Sequence, residues 1–397
     1  MSEAVTESKL TGPLEVLLPT AAQTQLLRAC LLPGEEGLTA WHCWCSQVAN
    51  PNKVFEDSKV GLKGLLPLVR KGLERTGFSD NRGLLTYARA AYLHEERRTK
   101  AYTQICAQVL SALAKAEIPV LPLKACVVAA TVYDELADRH CHALDLLVRR
   151  EDLARAGKVI EEQEFAYAKI QLSSTPDHKT YRHRHGLPLE LHAQALLTPY
   201  FQMPWDQMWA RRVTATVSEI SVPVLSPADN LLQICGRAAE ERTRATLRWV
   251  CDAHQIVTRC PDLDWQVFQK MAKSSGLALP LFVMLRYLAN ELDTPIPETV
   301  IESLGQEAER ANDRDREAAL YGALTGLTAS RQAFGGALNW RERLTILGFL
   351  LAPSSACLSW SYPNAPRLAL PFLYLLRPLH YVVSRVRGLL LPVPNED

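Results

Sequence analysis

Two acidic residues sit where a buried strand should carry none. Asp145 interrupts the apolar run HALDLLV and Glu190 interrupts LPLELHA, and both segments have the length and composition of strands. A carboxylate taken out of water without a partner is costly, so an acid in such a place calls for a divalent metal or a basic group beside it. Glu190 and His192 are two residues apart and so share one face of their strand. Five histidines, His140, His142, His183, His185 and His192, crowd the same part of the chain. Two H-x-H pairs with Asp145 and Glu190 could build a transition-metal site, since imidazole suits Zn2+ better than Mg2+. Such pairs are also common at strand edges, and only one register of each faces a site, so the bland reading is preferred.

The elements that must position these groups run from Ile118 to His192. The pattern predicts a strand at about 119–123, a helix at 125–136, a strand at 143–149 and a helix at 151–163. That last helix packs on the sheet through Leu153, Ala156, Val159 and Ile160. Strands at 165–172 and 179–184 are joined by the turn-like SSTPD, and a final strand spans 187–193. Ahead of this unit the chain reads as helical from 14 to 117, ending in a long helix over Leu84–Ala116. The charge run Glu95, Glu96, Arg97 and Arg98 is expected to be a solvated face of it. Beyond the unit, VTATVSEISVPVL is strand-like, and Ser226 followed by Pro227 starts a helix with a capping hydroxyl and proline at its first position. Helices follow at 228–242 and 245–259 and continue to about 330.

The order LPLKA, Tyr133, Arg139, LDLLV, Glu151-Asp152-Leu153 and Leu189-Glu190-Leu191-His192 resembles an uncharacterised bacterial nucleotidyltransferase family. Its members read LKG, Y, R-x-x-x-D-I-D-L-L-V and I-E-L-H, and the register agrees at several points over roughly seventy residues. The later Leu247-Arg248-Trp249-Val250-Cys251-Asp252 resembles the family's LRWLxDL. The resemblance implies a nucleotidyltransferase fold with three carboxylates on adjacent strands, holding Mg2+ or Mn2+ against a nucleoside triphosphate. Asp145 matches the second acid and Glu190 the third, so these two are the implied catalytic and metal-holding residues. Lys124, Arg139 and His192 are the implied nucleotide-binding residues. The first acid falls on Ala143, the glycine of the phosphate turn falls on Ala125, and a histidine common in the family's later helix is replaced within Ile234-Cys235-Gly236-Arg237.

The fold class expected is α+β, mostly helical, with a small mixed sheet in the middle of the chain. The divisions are 1–117 helical, 118–225 nucleotidyltransferase-like, 226–345 helical, and 346–397 an apolar helical tail docked on the body. Of 397 residues 48% are hydrophobic and 22% charged, and the net charge is +1. That balance leaves no basic field for a polynucleotide, so no nucleic-acid partner is expected. Residues 1–13 read as a disordered polar leader rather than a signal peptide, and ten scattered cysteines read as reduced thiols, which together point to the cytoplasm. Cys43-x-Cys45 beside His42 lacks the second pair that a structural zinc site needs. In the tail, Pro371, Arg377, Pro378, His380, Arg385 and Arg387 break any membrane span. Its arginines among leucines suit docking on the body, with an anionic membrane surface as the alternative.

Two functions follow from the resemblance. One is metal-dependent transfer of a nucleotidyl group from an NTP to a small-molecule or peptide acceptor in a bacterial biosynthetic pathway. The other is a catalytically degenerate member that keeps the fold as a binding or scaffold module in natural-product, peptide-modification or exopolysaccharide biosynthesis, alongside a protein partner of that pathway. Ala143 and Ala125 leave activity itself an open question.

Overall fold

The computed structural model describes residues 14, 17–56, 62–168, 177–196, 201–217, 219–240, 247–311 and 372; the side chains of residues 125 and 126 are also outside this set. The expected apolar tail at 346–397 therefore lies outside the described residues, apart from Phe372, as do the leader and the part of the expected helical run from 312 to about 330.

Five α-helices precede the sheet: α1 (Ala21–Leu31), α2 (Gly34–Gln47), α3 (Pro51–Glu56), α4 (Leu66–Thr76) and α5 (Arg82–Lys115). The sequence stops and starts them locally. Thr20 caps α1 in a reciprocal capping box with Gln23, and Gly77 ends α4 with φ +67°, a conformation that costs glycine nothing. Asn81 Oδ1 accepts from the Leu84 amide to open α5. Leu84, Ala88, Ile105, Val109 and Leu113 then bury one face of that helix. Its far end closes when the Ile118 amide reaches back to the Leu113 carbonyl, with Glu117 at positive φ.

The chain next forms β1 (Val120–Leu123), α6 (Ala125–Val132), β2 (Leu144–Val148), α7 (Leu153–Glu162), β3 (Phe165–Tyr167), β4 (His178–His183) and β5 (Pro188–His192). The five strands make one mixed sheet in the order β1-β2-β5-β4-β3. β2 and β5 run parallel and the other pairs antiparallel. Alternation then sorts the side chains. Leu144, Leu146, Val148, Leu189 and Leu191 join α5 and α7 in one core, whereas Leu121, Leu123 and Leu147 join a second core on the opposite face.

That second core is built by helices from both ends of the described chain. A short α8 (Trp205–Arg211) and the hairpin β6 (Val213–Val217) and β7 (Ile220–Val224) lead into α9 (Pro227–Glu240), α10 (Arg248–Arg259), α11 (Trp265–Ser274), α12 (Ala278–Leu292) and α13 (Glu298–Glu309). The Asp229 amide donates to Ser226 Oγ at the start of α9, as the Ser-Pro signal predicts. The N-terminal helices meet this group directly, with Thr24 Oγ1 2.8 Å from Tyr287 Oη. The architecture is the α+β, mostly helical one expected, with thirteen α-helices among the described residues. No helix among them is long and apolar enough to cross a membrane.

The charge run on α5 departs from expectation. Glu95 is 5% exposed and bonds to Arg98 Nη2 at 2.6 Å, to His140 Nδ1 at 2.9 Å and to the Cys141 amide at 3.2 Å. Glu96 and Arg97 are exposed as expected, but Glu95 and Arg98 pack on the loop before β2 and form an ionic seam there. Local composition cannot show which side of a helix meets a loop forty residues away.

Candidate functional site

Parallel pairing sets Asp145 directly opposite Glu190, so the two acids from distant parts of the chain project from the same face of neighbouring strands. This is the face turned toward the second core and α10. Antiparallel pairing sets Leu123 opposite Asp145, which brings the next residue, Lys124, across the end of β2. Lys124 Nζ lies 2.7 Å from Asp145 Oδ1. The turn that places it is strained: Lys124 has φ +55° and ψ −130°, a region that L-residues avoid at a cost of about 1–3 kcal/mol. The side chain of Ala125, where the family pattern has its glycine, lies outside the described set. The unusual backbone of this turn falls one residue earlier, on Lys124.

His192 adds the third contact, with Nε2 3.1 Å from Asp145 Oδ1 and 3.7 Å from Glu190 Oε2. His178, at the start of β4, pairs in register with His192. Their rings stack with centroids 4.6 Å apart, and His178 Nε2 stands 3.5 Å from the same Glu190 oxygen. Asp145, His178 and His192 are buried, while the Lys124 and Glu190 side chains keep 24% and 18% of their exposure. Solvent therefore reaches the group through Lys124 and Glu190.

Burial and partners compete at each of these residues. Burial raises the Asp145 carboxyl, but Lys124 and His192 outweigh it and hold the group below the usual carboxylate range. Burial likewise raises Glu190; His178, Lys124 and His192 overcome both that and the repulsion of Asp145, and the carboxyl ends lowered. His192 goes the other way. Desolvation pushes it down to about 4 although Asp145 favours its charged form, so the imidazole is neutral at pH 7.

Arg139 is buried and committed elsewhere. Its Nε donates to Asp252 Oδ1 at 2.8 Å, its Nη2 to Asp252 Oδ2 at 2.7 Å, and its Nη1 to the His140 carbonyl. Burial lowers the guanidinium's pKa, but Asp252 more than reverses that and keeps it charged. Tyr133 Oη donates to the same carboxylate at 2.8 Å, so Tyr133, Arg139 and Asp252 form one ionic knot tying α10 to the sheet unit.

The first residue of α10 is Arg248. Arg248 is half-buried within electrostatic reach of Arg139, Asp252 and Asp145, and desolvation followed by repulsion from Arg139 lowers its pKa to about 10. It makes no hydrogen bond or ion pair among the described residues. His142, lowered by burial and by Arg248, faces the same region and is also within reach of Glu190.

The other nominated histidines are dispersed. His140 belongs to the Glu95 and Arg98 seam, and His183 stands 3.6 Å from Glu164 and beside Phe165. His185 packs against His183 at the β4–β5 turn. His42 is paired with Asp80. A small apolar cavity of about 20 Å³ lined by Tyr102, Cys106, Leu136, Arg139, Leu144 and Leu187 opens on the other side of the sheet and does not include the acids.

The ion implied by the family pattern can be tested against these donors. Mg2+ takes oxygen ligands in a strict octahedron. Here the position of the first acid is the buried Ala143, Asp145 is neutralised by Lys124, and Glu190 has an imidazole on either side. This set does not fit resident Mg2+ ions held by three carboxylates.

A mixed sheet with two carboxylates on adjacent parallel strands, approached by a lysine from a strained strand-to-helix turn, defines a nucleotidyltransferase-like protein. Residues 62–293 match the family described as Uncharacterised nucleotidyltransferase. The chain belongs to that family, and the match spans the sheet, the site and the helices through α12. No curated protein and no solved structure matches the chain.

Proposed function

We propose that this protein transfers a nucleotidyl group from an NTP to a small-molecule or peptide acceptor in a bacterial biosynthetic pathway. The observation that carries this reading is the register pair Asp145 and Glu190, with Lys124 bonded to Asp145 and Arg248 within electrostatic reach of it. Such a surface is complementary to a triphosphate with its counter-cation. The nucleotide enters as its Mg2+ or Mn2+ salt. Lys124 turns from Asp145 to the phosphates, and Arg248 meets the charge that grows on pyrophosphate as it leaves. An acceptor oxygen or nitrogen attacks the α-phosphorus, the bond to the β-phosphate oxygen breaks, and the acceptor's proton passes to the carboxylate pair that Lys124 has released. Arg139 serves by holding Arg248 in place through Asp252, and His192 orients Asp145.

Pyrophosphate release from each NTP with Mg2+ or Mn2+, in the presence of fractionated metabolites and peptides, tests transfer. Release that depends on an acceptor and disappears in Glu190→Gln supports it, whereas no release in any fraction refutes it.

Ala143 favours a second reading, in which the fold is retained as a nucleotide-binding or scaffold module. That reading predicts binding of triphosphate without pyrophosphate release.

A further inference from the structure

His178 is a buried group without hydrogen-bond partners. It is 6% exposed, and neither ring nitrogen has a hydrogen-bond partner. Buried imidazoles are nearly always satisfied, and one that is not requires a cause. Its Nε2 stands 3.5 Å from Glu190 Oε2 without the geometry of a hydrogen bond, and His192 Nε2 stands 3.7 Å from the same oxygen on the other side. The three donor atoms all lie within 4.8 Å of one another.

We propose that His178, Glu190 and His192 form a binding site for a single transition-metal dication of the Zn2+ class, with Asp145 or water as fourth ligand. Three observations carry it. The donors are two imidazoles and one carboxylate, a set suited to zinc-like ions and ill-suited to Mg2+. The spacing is close to that of a formed site: bonds of about 2.0–2.1 Å in a tetrahedron put donors roughly 3.4 Å apart, against the 3.5 and 3.7 Å seen from each imidazole to Glu190. Closure asks the two imidazoles, now stacked with centroids 4.6 Å apart, to turn their donors toward Glu190. Lastly, the backbone fixes the donors. His178 and His192 are cross-strand partners and Glu190 lies two residues along the same face, so all three stand on rigid, hydrogen-bonded strands. The inference stands apart from nucleotidyl transfer, since a scaffold protein could hold the same ion.

The test uses the full chain stripped with chelator and titrated with Co2+ and Zn2+ alone. The expected result is one tight equivalent of Co2+ with the visible spectrum of a tetrahedral ion, displaced by Zn2+ and unaffected by Mg2+. His178→Gln and His192→Gln should each weaken binding at least tenfold, and His183→Gln, an imidazole on the same strand outside the trio, should not. Absence of a tight equivalent, or equal binding by parent and His178→Gln, overturns the site. Should His178→Gln fail to fold, X-ray absorption of the Zn2+-loaded parent decides: two imidazoles per ion support the assignment, and a shell of oxygens alone refutes it.

Discussion

Removing the acid of the Arg139 and Asp252 knot should make the protein unfold more readily. Both side chains are more than nine-tenths buried, and the guanidinium makes bonds of 2.7 and 2.8 Å to the carboxylate. Taking away one member of such a pair leaves the other charged in a poor dielectric, which typically costs about 3–5 kcal/mol. In Asp252→Asn the amide oxygen can still accept one bond from Arg139 and one from Tyr133, so the lower end applies, about 3 kcal/mol. Replacing both members at once, as Arg139→Met with Asp252→Leu, leaves no stranded charge and should cost about 1 kcal/mol or less, because apolar packing often substitutes for a buried ion pair without loss. Urea unfolding at pH 7 measures both. Nucleotide affinity of the folded double variant should fall only as far as Arg248 is displaced. Two results would refute the reasoning: a single variant as stable as the parent, or a double variant whose loss equals the sum of the two single losses.

Further predictions follow from the site itself. Between pH 6.5 and pH 4 the unfolded chain binds a proton that buried His192 refuses, because its pKa falls from 6.5 to about 4 on folding. Its contribution to stability is whole above that window and lost as pH falls through it. Acidifying metal-free protein from pH 7 to 5 should therefore cost roughly 2 kcal/mol that His192→Gln does not lose, as read from paired urea curves. An unchanged pH dependence in the variant would contradict the assigned environment. Ala143→Asp supplies the absent first acid beside β2; isothermal titration with Mn2+ should show affinity raised by roughly tenfold, as expected where divalent-cation affinity follows ligand charge. No change would mean that residue 143 does not face the carboxylate pair.

How much of this site could be read from the sequence depends on whether a local rule or a tertiary contact decides each residue. Asp145 and Glu190 were legible because an acid breaks the alternation of a buried strand, and period two already put Glu190 and His192 on one face. The partner that holds Asp145 was not legible: Lys124 reaches it only because β1 and β2 pair antiparallel. Arg139 matched the family's phosphate-side arginine, yet its fork is filled by Asp252, 113 residues away. Arg248 went without a role because nothing local distinguishes an arginine at a helix start that faces a site from one that faces water. His178 was missed although a signal existed. The alternation pattern starts the strand at residue 179, whereas β4 begins at His178. A turn through Arg184–Gly186, with Gly186 at φ +87°, fixes the hairpin register, and counting back from it places residue 178 opposite 192.

The claim on which the account rests is that the face shared by Asp145, Glu190, Lys124 and Arg248 receives a nucleoside triphosphate. Calorimetric titration of the full chain with ATP, GTP, CTP and UTP, with and without Mn2+, measures this directly. Saturable, cation-dependent binding of at least one of the four is predicted, and Asp145→Ala and Arg248→Met should each abolish or greatly weaken it. Absence of heat with all four, or undiminished binding in both variants, would contradict it.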